Sequence, residues 1–212
     1  MTPEAVVRAA AQAGLDLIAL TDHNTADNCA AAAAAAEALG IGFIPGIEVT
    51  TSEEIHMICL LPDLGKAAAF SRWLDTLRIP LPPRLRFGRN PSFGERIRRQ
   101  DERDLLYMAR RISLEELPEA VHRYGGLCWP AHADQTAHSV YSVLGCWPEE
   151  LRCDAVELFG DGEPADLPPG LPRLRVSNAH RLWDIRGPGC RLPLDSADFS
   201  ALRRYLQSPR AI

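Results

Sequence analysis

Apolar and polar positions along this chain fall into blocks that predict helices and short strands in near alternation. Thr2-Pro3-Glu4 reads as a helix start, with Thr2 as N-cap and Pro3 in the first helical position. Val6, Val7 and Ala10 give that helix its apolar face, and Gly14 stops it. The unbroken run Leu17-Ile18-Ala19-Leu20 predicts a strand buried on both faces. Residues 24–39 are alanine-rich and helical, stopped by Gly40, and their small side chains suit close packing on a sheet. Residues 42–49 form a second strand-like segment, interrupted by Pro45-Gly46. A third strand spans 55–61 and ends at Pro62. Residues 66–77 are helical, with Phe70, Trp73, Leu74 and Leu77 on one face.

The rhythm breaks at about 79–103, a proline- and arginine-rich excursion with little periodicity, suited to a lid or an assembly surface. Ser113 to Glu116 then reads as a capping box for a helix ending at Gly125-Gly126. Strands follow at 127–130, 154–159, 173–176 and 190–193, with helices over 137–144 and from Ser196 or Asp195 to about Gln207. Mostly alternating elements predict one α/β domain over 1–212, built on a largely parallel sheet or barrel.

Composition adds limits. With 46% hydrophobic and 24% charged residues the chain is an ordinary globular one. Its formal charge of −5 gives no reason to expect nucleic acid as a partner. The six cysteines form no C-x-x-C and read mostly as buried free thiols. Neither a signal peptide nor an apolar run of membrane-spanning length is present, so the cytoplasm is the expected compartment.

Chemistry concentrates at strand tips. The run Gly14–His23 ends in Thr21, Asp22, His23 and Asn24, and parallel α/β folds place their sites at such carboxyl ends. His56 lies in the third strand, His132 follows the fourth, His180 follows the sixth, and Glu48 sits within Gly46-Ile47-Glu48. Four imidazoles and a carboxylate around one mouth suit Zn²⁺, Mn²⁺ or Fe²⁺. Asp22 and Asp134 are candidates to orient a histidine from behind. His122 reads as solvated and His138 as structural.

T-D-H-N at 21–24, G-I-E at 46–48, His56, P-A-H at 130–132 and S-N-A-H at 177–180 resemble, in order, the motifs of the PHP superfamily, the polymerase and histidinol phosphatase domain. That resemblance implies a distorted (β/α)₇ TIM-like barrel with two or three divalent metals and hydrolysis of phosphoesters by metal-activated water. It implies that Glu48 bridges two metals, that His56 and His132 hold one of them, and that His23 and His180 hold a third. Glu48, His132 and Asp22 are then the catalytic group, and a small-molecule phosphoester is the expected substrate. Arg84, Arg86, Arg89 or Arg96 of the excursion could clamp the phosphate; the alternative is a solvated or subunit-contact role.

Two departures stand out. The family opens with a strand carrying an H-x-H pair, whereas this sequence begins with a helix, so the first strand of the barrel is missing from it. Either the start lies too late or the chain is a truncated relative. The aspartate expected before the last histidine is Asn178, a neutral donor in a ligand position. Weak or absent hydrolysis is the resulting expectation. The competing functions are a non-catalytic metal-binding domain and an amidohydrolase-like C–N hydrolase.

Overall fold

The computed structural model describes residues 1–79, 107–160, 162–187 and 190–208. The elements are α1 (Pro3–Gln12), β1 (Leu17–Leu20), α2 (Cys29–Leu39), β2 (Gly42–Thr50), β3 (His56–Leu60), α3 (Leu64–Thr76), α4 (Glu116–Arg123), β4 (Leu127–Pro130), α5 (Val140–Leu144), β5 (Val156–Leu158), β6 (Arg173–Arg175), a 3₁₀ turn (Leu182–Asp184) and α6 (Phe199–Gln207). The excursion at 79–103, with its arginines, falls outside the described residues beyond Ile79.

Among the described residues the strands form a four-stranded sheet, ordered β1-β2-β3-β4, and a separate parallel pair, β5 and β6. β1 runs parallel to β2, but β2, β3 and β4 are antiparallel neighbours. The expected largely parallel sheet is therefore a mixed one. The connection 51–55 between β2 and β3 is too short for the crossover that parallel strands need, so the two close as a hairpin. A mixed α/β fold stands; a closed barrel is not formed among the described residues. Residues 190–193 form no strand.

Pro45-Gly46 does not interrupt β2; the strand changes neighbours there. Gly42 to Pro45 pair with β1, and Gly46 to Thr50 pair with β3. Proline has no N–H to give, and the Pro45 carbonyl accepts from the Leu61 N–H at 2.9 Å. A methyl group on Gly46 would stand 2.7 Å from both Leu60 Cδ2 and Thr21 Cγ2. Gly46→Ala is accordingly expected to destabilise the fold by about 1–3 kcal/mol, read as a lower urea midpoint at unchanged slope. β1 lies at an edge of the sheet among the described residues. Ala19 is exposed and Leu17, Ile18 and Leu20 are half-buried, not buried on both faces as the apolar run predicts, because no strand there covers its outer side.

The sheet separates two apolar layers. Ile47, Val49, Met57 and Cys59 pack toward Phe70 and Leu74 of α3 and Leu117 and Val121 of α4. Ile44, Ile58, Leu60 and Trp129 pack the other way, onto Leu174 of β6 and Phe199, Leu202 and Leu206 of α6. Strand alternation puts Glu48, between Ile47 and Val49, on the side of this second layer. A smaller cluster of Val7, Ala32 and Ala36 joins α1 to α2, the close approach that alanines allow.

Local signals mostly hold. Thr2 Oγ1 accepts from the Ala5 N–H, and Ser113 and Glu116 exchange reciprocal cap bonds at 3.2 and 3.0 Å. The cap of α6 is Asp198, whose carboxylate accepts from the Ala201 N–H at 2.8 Å; Asp195 instead pairs with Arg204, and Ser196 donates to Asp198. His122 is not merely solvated: its Nε2 lies 2.8 Å from Asp154 Oδ2, an oxygen that also accepts the Cys128 N–H. That hydrogen bond raises the His122 imidazole above its ordinary value. Cys29, Cys59 and Cys128 are buried thiols, whereas Cys146 is exposed. No described helix is long and apolar enough to cross a membrane.

Candidate metal centre

The chain beyond β1 keeps pairing with β2, and this brings the first histidine to the carboxylate. The Glu48 N–H donates to the Asp22 carbonyl at 3.1 Å, and the Asn24 N–H donates to the Glu48 carbonyl at 2.8 Å. His23 and Glu48 thus face each other as a parallel bridge. Asn24 is buried in the left-handed region at φ 54, which asparagine tolerates better than most residues. Its Oδ1 accepts from the Thr50 N–H and its Nδ2 donates to the Met108 carbonyl, both at 3.1 Å. One side chain so ties the tip of β1 to the end of β2 and to the segment that returns at Tyr107.

His56 opens β3 opposite Thr50, one same-face step from the Glu48–Ile58 pair, within diagonal reach of Glu48. Glu48 Oε1 lies 2.8 Å from His56 Nδ1 and 3.4 Å from His132 Nε2. His132 leaves β4 with φ 32, a left-handed turn that swings its ring inward. The His23 ring lies 4.9 Å from that of His56, and the His180 ring stacks on His23 at 6.1 Å and 21°. A cavity of about 460 Å³ opens over these rings, lined also by Tyr107, Gln135, Thr136, His138 and Asn178.

Glu48 is only 4% exposed. Its Oε1 is close to two imidazoles, yet neither contact is aligned as a hydrogen bond, and His23 Nδ1 and His132 Nδ1 are buried without a partner. Buried polar atoms are normally satisfied, so a convergent set left open marks a place for a cation. One ligand atom each from His23, Glu48 and His56 falls within a group 4.8 Å across, and the nitrogen and oxygen donors suit a divalent ion.

The electrostatics agree. Burial disfavours the Glu48 anion, but His132, His56 and His23 outweigh it and hold the carboxyl below its ordinary range. Burial lowers His23 to about 4, with Glu48 opposing and the neighbouring imidazoles adding to the fall. His23 is therefore neutral at physiological pH, the form that binds metal. Burial works against the His132 imidazolium, yet Glu48 and, less strongly, Glu157 raise it above its ordinary value.

His23, Glu48, His56 and His132 thus come together from four separate stretches, with His180 and Asn178 at the cavity wall. Asp22 contributes its backbone carbonyl, while its carboxylate accepts from Asn28 Nδ2 at 2.6 Å. The Asp134 carboxylate, expected to orient a histidine, instead accepts from the Phe159 and Gly160 N–H groups at 2.8 and 2.6 Å and shapes the loop after β5. Arg84, Arg86, Arg89 and Arg96 lie outside the described residues. Sequence reasoning passed over Tyr107 and Glu157, and with them the cavity-lining Gln135 and Thr136. Tyr107, with no signal around it, places its ring 4.5 Å from His23. Glu157 is buried in β5 between Val156 and Leu158, and a lone carboxylate inside an apolar strand was the signal for it. Its carboxyl is pushed up to about 7, first by burial and then by the charge of Glu48.

A model of the PHP domain matches residues 1–144 of the chain. No curated protein matches the sequence significantly. Among solved structures, a presumed metal-dependent phosphoesterase from Bifidobacterium adolescentis shares 18% identity at a TM-score of 0.54, over 97% of this chain and 90% of that one. The lesion-specific endonuclease Q of Pyrococcus furiosus shares 17% at a TM-score of 0.64, over 98% of this chain and 51% of its own. A second endonuclease Q structure, complexed with a 27-mer duplex bearing an abasic lesion at the active site, shares 17% at 0.62, over 98% and 52%. The chain thus spans about half the length of the endonuclease Q chains, and the likeness is one of fold. It corrects the expectation, drawn from net charge, that nucleic acid is not a partner: a protein of this fold holds a duplex at its active site, and net charge is a sum that says nothing of the local field. With the ordered histidine motifs gathered on one buried glutamate and the family model matching more than half of the sequence, the chain belongs to the PHP domain family.

Proposed function

We propose that this chain hydrolyses phosphoesters at a divalent-metal centre held by Glu48, His56 and His132, with His23 and His180 as donors toward a further ion. The observation that carries this reading is the single buried oxygen, Glu48 Oε1, at 2.8 and 3.4 Å from two imidazole nitrogens and grouped with His23. A bound Zn²⁺, Mn²⁺ or Fe²⁺ supplies Lewis acidity toward phosphoryl oxygens and lowers the pKa of bound water. The protein's own groups set the rest. Glu48 provides a fixed buried charge, kept ionised by its imidazole neighbours. Asp22 and Asn24 hold Glu48 in register through the backbone. Gln135, Thr136 and Asn178 offer neutral hydrogen bonds to a substrate in the cavity.

Asn178 favours a second reading. An amide cannot replace the charge of a carboxylate, so a metal at that side is held weakly and the domain binds metal with little or no turnover. Both readings meet one experiment: incubation with Mn²⁺ and a panel of phosphoesters, from an aryl phosphate to 5′-phosphorylated and abasic duplex DNA. Turnover abolished by His132→Ala supports the hydrolase. Metal binding without turnover on any substrate favours the non-catalytic domain, and a folded protein that binds no divalent metal would sink both.

A further inference from the structure

His138 reads from sequence as structural, yet its side chain is exposed at the rim of the cavity and supports no core. Its ring lies flat on that of His56, with centroids 4.6 Å apart and planes 4° from parallel. The Nδ1 of His138 is 3.0 Å from the Glu54 carbonyl oxygen. A carbonyl can only accept, so this nitrogen carries the proton, and the ring is pinned in tautomer and plane. The His138 carbonyl in turn accepts the His56 N–H at 2.8 Å. Backbone and side chain of one residue therefore grip backbone and side chain of another.

The backbone gives a second, independent sign of constraint. His138 has φ 53 and Glu54 has φ 64, both left-handed without being glycine. Such residues are a few per cent of non-glycine positions, roughly, and persist where surrounding structure holds them. Here two of them, 84 positions apart, meet at a single hydrogen bond. Each is fixed from its own side. Glu54 closes the β2–β3 hairpin through its N–H to the Thr51 carbonyl at 3.0 Å. His138 is followed at once by Ser139, whose hydroxyl donates to the Gln135 carbonyl at 2.6 Å and caps α5 through Ser142. Tyr107 offers a contrast on the neighbouring imidazole: its ring is tilted 44° to His23 and is 62% exposed.

We propose that His138 is a positioning residue of the metal centre: its pinned imidazole, stacked on His56, sets the ring plane in which His56 Nδ1 meets Glu48. This rests on the metal-binding reading above. The other rings around His56 meet it edge-on, those of His23 at 65° and His132 at 76°, so among the described residues the flat support comes from His138. Hydrogen-bonded partners that orient a metal-bound histidine typically contribute about 10- to 100-fold in metal affinity, which sets the scale for a stacked one.

The test uses the full chain in three variants. His138→Asn removes the ring but tolerates the left-handed backbone; His138→Ala removes it outright; His138→Phe keeps a flat ring without the pin. Mn²⁺ affinity is measured by calorimetry, ligand geometry by the visible spectrum of the Co²⁺-loaded protein, and folding by urea denaturation. The expected result is a 10-fold or greater loss of affinity in His138→Asn and His138→Ala with a changed Co²⁺ spectrum, an unmoved urea midpoint in His138→Asn, and partial recovery in His138→Phe, which keeps the stack without the pin. Wild-type affinity and spectrum in the first two variants would overturn the proposal, as would a His138→Phe variant no better than His138→Asn. Failure of the wild type itself to bind metal overturns the metal-centre reading along with it, and is told apart because it appears before any substitution.

Discussion

Glu48→Gln eliminates tight divalent-metal binding and brings any phosphoesterase activity to the level of the metal-free protein. Groups that merely orient a ligand already contribute about 10- to 100-fold to metal affinity, so removal of the charge itself is expected to exceed roughly 100-fold. Glutamine keeps the volume and one carbonyl oxygen, which isolates charge from shape. Glu48 is the carboxylate of the His23–Glu48–His56 group, and its position is set by the backbone through Asp22 and Asn24. The fold should survive at neutral pH. Glu48 has a depressed folded pKa, so its ionisation adds stability above the ordinary carboxylate range and loses it as pH falls through the folded value. The variant forgoes that increment, but it also no longer buries an anion. Calorimetry with Mn²⁺, alongside circular dichroism, decides the matter: a folded Glu48→Gln protein with wild-type Mn²⁺ affinity would remove Glu48 from the metal centre.

The helices and their caps were legible because local chemistry dictates them. Thr2, Ser113 and Gly14 act where their side chains or their lack of one require. The metal-facing residues were legible for another reason: a histidine or carboxylate at the end of an apolar run has no place in a core. What sequence could not supply was pairing. His56 and Glu48 meet because a five-residue connection forces a hairpin, and the period-2 pattern is the same for parallel and antiparallel neighbours. Burial at β1 was overestimated because an apolar run looks alike at an edge and in a centre. Charge counting failed for nucleic acid because a sum over 212 residues says nothing of the field in one cavity. Glu157 was passed over for the opposite reason. Inside Val-Glu-Leu a lone carboxylate is a signal without a motif around it, and the approach of Glu48 and His132 shows what it faces.

Glu157→Gln stabilises the metal-free protein above pH 7 and leaves it nearly unchanged near pH 4.5. The Glu157 carboxyl is pushed from an ordinary 4.5 up to about 7, by burial first and by the Glu48 charge second. Between these two values the folded chain holds a proton that the unfolded chain has released, so stability falls as pH rises through that window and does not return above it. At about 1.4 kcal/mol per tenfold, the full effect is on the order of 3 kcal/mol, a large part of the stability of a typical domain. Glutamine carries no such ionisation. His23 works against this trend, since its folded value near 4 makes stability rise with pH from there to about 6.5. It does so in both proteins and cancels from their difference. Urea denaturation of the two at pH 5 and pH 8 measures that difference, and an equal gap at both pH values would show that Glu157 is ionised in the fold throughout. Added Mn²⁺ should narrow the gap at pH 8. A cation near Glu48 offsets the second of the two causes that disfavour the Glu157 anion and leaves the first, burial, in place, so the wild type gains more from metal than the glutamine variant does.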